Sequence, residues 1–207
     1  LRTEGHSYNP GLESYTLDPM AWRVVDEREE DAMEGGRRFG EERVSFAIQG
    51  GAGTGKSTML RQIIEELDRR GLQYQVCAPT HTAARQIPGA MTMHRWAHKY
   101  FRKGRIPKLR IDYLIVDEVF FCSPVLWTLL GEVHLANPEL AMILCGDPDQ
   151  FQAPMSVWRG GAPITAQKME TSRLFHELAG GTAVDLWTCK RSHEALYRIF
   201  TAAERIL

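Results

Sequence analysis

Apolar residues in this chain fall into short runs, separated by stretches in which they recur every three or four positions. These are the signatures of strands and of helices. The runs are Val44 to Ile48, Gln73 to Ala78, Ile111 to Val116, Leu140 to Cys145 and Ala183 to Trp187. Ile111 to Val116 is apolar at nearly every position, as expected of a strand buried on both faces of a parallel sheet. After the first run, Leu60, Ile63, Ile64 and Leu67 share one helical face. That helix should stop where Arg69 and Arg70 precede Gly71, since cations and a glycine suit a helix carboxyl end. Pro79 to Thr82 reads as a turn before a short helix with Ala83 and Ala84. Further helices are predicted over His94 to Phe101, Pro124 to Leu135, Ser172 to Leu178 and Ser192 to Ile206, with a loop from Ser156 to Pro163. Upstream, Asp18 as N-cap and Pro19 at the first helical position predict a helix carrying Trp22, Val25 and the acidic run from Asp26 to Glu30. Strands alternating with helices imply an α/β fold, a mostly parallel sheet flanked by helices on both faces.

Length and composition narrow this picture modestly. The 207 residues suit one domain over 17–207, behind an aperiodic, flexible lead-in at 1–16. Leu1 in place of Met, and an end inside a helical pattern, make a fragment of a longer chain the expectation. A hydrophobic fraction of 43% supports a sizeable core, and a net charge of −1 means that any basic patch is local. The four cysteines have no C-x-x-C spacing, so a zinc site is not expected. Cys77, Cys122 and Cys145 lie in or beside apolar runs and read as reduced core thiols, hence an intracellular setting, nucleus or cytoplasm. No stretch reaches the roughly 18 apolar residues needed to span a bilayer, so no membrane partner is expected.

Chemistry enters with the run Gly50-Gly51-Ala52-Gly53-Thr54-Gly55-Lys56-Ser57-Thr58, which fits G-x-x-x-x-G-K-[ST] between a strand and a helix. Glycines let backbone N–H groups curl around an anion, and the helix start adds positive potential. Lys56 can reach β- and γ-phosphates, and the Ser57 hydroxyl can ligate Mg²⁺. A second apolar run ends in Asp117-Glu118. Ligands of parallel sheets bind at strand carboxyl ends, so Asp117 would meet the same Mg²⁺ and Glu118 would serve as general base. A third run ends in Gly146-Asp147-Pro148-Asp149-Gln150, where Gln150 can sense the γ-phosphate or orient water. The basic, aromatic-bearing run from Lys99 to Arg110, and Trp158 with Arg159, read either as single-strand contacts or as solvated and packing residues.

In this order, Gly50 to Ser57, Ala78-Pro79-Thr80-His81-Thr82-Ala83-Ala84, Thr92-Met93-His94-Arg95, Asp117-Glu118 and Gly146 to Gln150 resemble motifs I, Ia, Ib, II and III of superfamily 1 DNA helicases, closest to the RecD/Pif-like branch. The resemblance implies a RecA-like P-loop NTPase domain that uses ATP and Mg²⁺ and moves on single-stranded DNA, with RNA as a second option. It implies nucleic-acid contacts from Thr80, His81, Thr92 and His94. It implies a γ-phosphate contact from Arg191, with Lys190 as fallback. It also implies a second RecA-like domain, with motifs V and VI, that this sequence does not supply, so the chain alone should bind nucleotide but hydrolyse it poorly. Two departures stand out. Ala21 occupies the place of an adenine-reading glutamine, and Val119-Phe120 replace small or acidic residues. Two alternatives are a P-loop nucleoside kinase and a truncated helicase-like docking module for nucleic acid or protein.

Overall fold

The computed structural model describes residues 23–26, 43–101, 106–149 and 165–187. Among the described residues, seven strands form one sheet: β1 (Arg23–Asp26), β2 (Phe46–Gly50), β3 (Tyr74–Ala78), β4 (Met91–Thr92), β5 (Tyr113–Val116), β6 (Ala141–Gly146) and β7 (Thr182–Leu186). Their order is β1-β7-β2-β6-β5-β3-β4, and every pairing is parallel. The helices are α1 (Lys56–Arg69), α2 (His81–Ala84), α3 (Met93–Tyr100), α4 (Pro124–Ala136), α5 (Ala166–Glu170) and α6 (Arg173–Leu178), with a 3₁₀ turn at Val119–Phe121.

Side chains alternate across a strand, so each run feeds two cores. Ala47, Leu114, Val116, Met142 and Leu144 pack with Met93 and Trp96 of α3, Leu126, Trp127, Leu130 and Val133 of α4, and Phe175 and Leu178 of α6. Ile48, Tyr113, Ile115, Ile143 and Cys145 pack on the other side with Leu60 and Leu67 of α1. Helices therefore cover both faces, as predicted. Leu60 and Leu67 are fully buried, and each contributes about 2 kcal/mol to seating α1. Cys77, Cys122 and Cys145 are free, buried core thiols, as their apolar surroundings in sequence suggested. No helix among the described residues is long and apolar enough to cross a membrane.

One expectation is overturned. The helix starting at Asp18 was to run through Val25 and Asp26, but Arg23–Asp26 is strand β1, paired with Thr182–Asp185 of β7. Two adjacent β-branched valines meet a sheet edge with unpaired backbone groups, and the ladder prevails over the Asp-Pro helix signal. Three elements escaped the periodicity: β4, α5 and the 3₁₀ turn, each too short to show a period. The lead-in, the loop at 156–163 and the helix from Ser192 to Ile206 lie outside the described residues.

The strand order matters most for function. β2, β6 and β5 are consecutive neighbours although they are far apart in sequence. Gln49 of β2 is level with Gly146 of β6, and Leu144 of β6 is level with Val116 of β5. Three loops of separate origin therefore leave the sheet side by side.

Candidate active site

The glycine-rich loop leaves β2 at Gly50. A Cβ there would lie 2.5 Å from the Leu186 carbonyl oxygen and 2.8 Å from Thr54 Oγ1, so only glycine lets the loop turn beside β7. The Thr54 hydroxyl donates to the Gly51 carbonyl at 2.9 Å and closes the turn. Gly53 and Gly55 have φ of 82° and 104°, which L side chains rarely adopt. At the start of α1 no side chain caps the backbone and no acid stands in the first turn. The positive end of its dipole therefore lies at the loop with no acid beside it, as suits an anion. The Lys56 side chain folds back over this loop, with Nζ donating to the Gly50 carbonyl at 2.7 Å and the Gly51 carbonyl at 3.1 Å. The adjacent Ser57 is half-buried.

Asp117 extends β5, its N–H donating to the Cys77 carbonyl at 2.9 Å, and only 3% of the residue is exposed. Burial pushes its carboxyl pKa up; a Cys145 thiol contact, the Glu118 N–H and the Lys56 ammonium push it down. Asp147, at the end of β6, is equally buried. Its pKa too is raised by desolvation and opposed first by Lys56. Its Oδ1 accepts the Asp149 N–H at 3.0 Å. One ammonium thus acts on two buried carboxylates from two different strands. Asp147 was not singled out from sequence, although its place directly after an apolar strand was the available signal. The Ser57 hydroxyl and the Asp117 carboxylate are hard oxygen donors that suit Mg²⁺, an ion that draws its remaining ligands from phosphate and water. No group of three or more His, Cys, Asp or Glu side chains able to hold a metal is found among the described residues.

Glu118 is the only non-glycine residue with positive φ among those described, at φ 53° and ψ 42°. This left-handed conformation costs about 1–2 kcal/mol, and such strain collects at functional sites. Gln150, Lys190, Arg191, Ala21, Trp158 and Arg159 lie outside the described residues.

The four residues assigned to nucleic acid gather at the β3–β4 edge, where Ala78 is level with Thr92. Thr80 and Thr92 are N-caps. Their hydroxyl oxygens accept the Ala83 N–H at 3.1 Å and the Arg95 N–H at 3.2 Å, and Thr92 is buried. His81 and His94 are exposed, as are Arg85 and Arg95, two cations that sequence reasoning passed over. From Pro79 to Ile111 the chain has no Asp or Glu but carries Arg85, Arg95, Lys99, Arg102, Lys103, Arg105, Lys108 and Arg110. Tyr100 and Phe101, the aromatic residues of the basic run, are half-buried and pack on Trp96 with centroids 6.1 and 5.1 Å away, while Lys99 beside them is exposed.

Comparison with known proteins agrees with this arrangement. The AAA domain family matches residues 40–155. The ATP-dependent RecD2 DNA helicase of Deinococcus radiodurans is 35% identical over 112 residues, 50% of this chain and 15% of that protein. The ATP-dependent DNA helicase PIF3 of Trypanosoma brucei brucei is 29% identical over 175 residues, 74% of this chain and 19% of that protein. The chain thus spans less than a fifth of either curated relative. Among solved structures, Pif1 helicase from Candida albicans superposes with a TM-score of 0.64 at 21% identity, covering 85% of this chain and 43% of that one. Pif1 helicase from Bacteroides, in complex with ADP-AlF3 and ssDNA, gives a TM-score of 0.60 at 17% identity, covering 86% and 46%.

Proposed function

This chain belongs to the AAA domain family, and from that premise we propose that it is the nucleotide-binding and hydrolysing motor domain of an ATP-dependent DNA helicase of the superfamily 1, RecD/Pif-like kind. In this reading it couples ATP hydrolysis to movement on single-stranded DNA. One observation carries the proposal: Lys56, Asp117 and Asp147 converge, buried, where three neighbouring strands end. The named activities of the RecD2 and PIF3 relatives point the same way.

The residues divide the work as follows. The backbone of Gly50 to Thr58 cradles the phosphates, and Lys56 exchanges its contacts with the Gly50 and Gly51 carbonyls for β- and γ-phosphate oxygens. Ser57 and Asp117 would hold Mg²⁺, which when bound neutralises charge developing on the phosphate. Glu118 accepts the proton of the attacking water. Gln150 orients that water and Arg191 stabilises the transition state, both assigned by resemblance. Thr80, His81, Thr92 and His94, joined by Arg95, line the path of the nucleic-acid backbone, and the acid-free stretch from Pro79 to Ile111 supports this assignment. A second RecA-like domain in the parent protein would close the site over the nucleotide.

The test is ATP hydrolysis by the full-length protein with and without single-stranded DNA. Lys56→Ala should remove the stimulated turnover, and persistence of that turnover would overturn the proposal. Product analysis separates this reading from a nucleoside kinase, since inorganic phosphate is expected and a phosphorylated nucleoside is not.

A further inference from the structure

We propose that Gly146 and Phe120 are positioning residues for the Glu118 carboxylate. The seat of the Val119–Phe121 turn against the bare Cα of Gly146 holds Glu118 in its left-handed conformation. The inference rests on the general-base role given to Glu118 above.

Gly146 is not required for backbone freedom. It lies in β6 and is absent from the glycines of positive φ, which among the described residues are Gly50, Gly53, Gly55, Gly71, Gly89, Gly180 and Gly181. Its requirement is space. A Cβ at Gly146 would lie 2.8 Å from Phe120 Cδ2, 3.2 Å from Val119 Cγ1 and 3.3 Å from the Val119 backbone nitrogen. The ring has little room to withdraw. Phe120 is 4% exposed and packs against Phe175 at 5.1 Å and Trp127 at 6.4 Å between centroids, and Val119 is fully buried. Close-packed interiors transmit such a push rather than absorb it.

Glu118 is where the push would be taken up. On its upstream side, the Asp117 N–H is tied to the Cys77 carbonyl at 2.9 Å, and the Glu118 N–H to Asp117 Oδ1 at 3.0 Å. Downstream, the Phe121 N–H donates to the Glu118 carbonyl at 2.9 Å. Between these anchors Glu118 occupies a narrow left-handed well, at φ 53°. A displaced Val119 nitrogen must change its torsions and re-aim the carboxylate. The three atoms nearest the added Cβ belong to Val119 and Phe120, and none to the phosphate-binding loop.

The experiment uses the full-length protein with Gly146→Ala, Phe120→Leu and the double variant. Gly146→Ala should lower DNA-stimulated kcat at least about tenfold, because misplacing a reacting group by an ångström costs up to about 10²-fold. Affinity for a fluorescent ADP analogue should stay within about twofold, since the cradle is preserved. Phe120→Leu, which loosens the seat, should lower kcat less. The double variant should return to the level of Phe120→Leu, since the new methyl fills space left by the ring. Wild-type kcat in either single variant, parallel loss of kcat and ADP affinity, or a double variant no better than Gly146→Ala would each overturn the inference. If Gly146→Ala fails to fold, Phe120→Leu alone decides by the same split between kcat and affinity. Amide hydrogen exchange across 117–121 gives a readout independent of activity. Gly146→Ala should speed it and the double variant should restore it. A wild-type protein without DNA-stimulated hydrolysis would end the functional proposal, while exchange unchanged across the variants would end the interlock.

Discussion

At the ends of β2, β6 and β5, Lys56, Asp117 and Asp147 are buried together, each less than a tenth exposed, whereas beyond β3 and β4, His81, Arg85, His94 and Arg95 stand in solvent. The two regions belong to one sheet edge, yet they handle charge in opposite ways. Where charges are desolvated, each group depends on its neighbour, so a single change should be severe and non-additive. Where charges are exposed, each acts through a screened field, so changes should be modest, nearly additive and sensitive to salt. The first arrangement suits chemistry on one phosphate. The second suits loose, screened contact with an extended polyanion.

The sharpest way to break this contrast is Glu118→Gln. The exchange is close to isosteric and removes the proposed base without altering the length of the side chain. It should lower DNA-stimulated kcat by about 10²–10⁴-fold, the usual contribution of a positioned general base. ATP affinity and thermal stability should change little, and steady-state hydrolysis beside equilibrium nucleotide binding measures both. A loss of binding as large as the loss of turnover would mean that Glu118 holds the site together instead of reacting in it.

Arg95→Ala probes the exposed side. It should weaken single-stranded DNA binding several-fold at low salt and reduce the slope of log affinity against log salt by about 0.7, the value for one phosphate contact on a single strand. The KM for ATP should not move. Fluorescence anisotropy titrations at several salt concentrations measure the slope, and an unchanged slope would take Arg95 off the path of the strand.

How far the sequence foresaw these regions follows the same division. The buried side was legible because each part announces itself locally: a glycine loop between strand and helix, and two apolar runs ending in acids. Asp117 and Glu118 could be named before any fold was known. What stayed hidden depends on contacts across strands. That Asp147 shares the Lys56 field, and that Gly146 abuts Phe120, follow from β6 lying between β2 and β5, which no local pattern reveals. At the exposed edge, the sequence left the run from Lys99 to Arg110 open between strand contact and packing because composition carries no direction; the fold packs the half-buried Tyr100 and Phe101 on Trp96. β1 was misread for a related reason. A strand of four residues has too little length to show a period, and its pairing with β7 is a long-range event.

Thr92→Ala separates two roles at the boundary between the regions. Its hydroxyl caps α3 by accepting the Arg95 N–H. Loss of an N-cap costs about 1 kcal/mol, or about 2–4 °C in Tm for a domain of this size. If capping is the whole role, DNA affinity measured well below Tm should be near that of wild type. A fall in affinity as large as that for Arg95→Ala would place the hydroxyl on the strand as well.

The smallest effect should come from charge that serves neither region. Glu66 on α1 accepts hydrogen bonds from Arg69 and Arg70, which hold its carboxyl at about pH 2, below its ordinary value near 4.5. A depressed carboxyl pKa means that the folded state binds its proton less readily than the unfolded state. The resulting stability is therefore complete above about 4.5 and disappears as pH falls through that value toward about 2. Solvent screening at this half-buried surface position keeps the contribution small. Thermal melts of wild type and Glu66→Gln should differ slightly at neutral pH and converge as the solution is acidified below about 4.5. Salt should shrink the difference in the same way. Melting curves that stay equally far apart at acid pH would show that Glu66 supports α1 through packing of its stem, not through its charge.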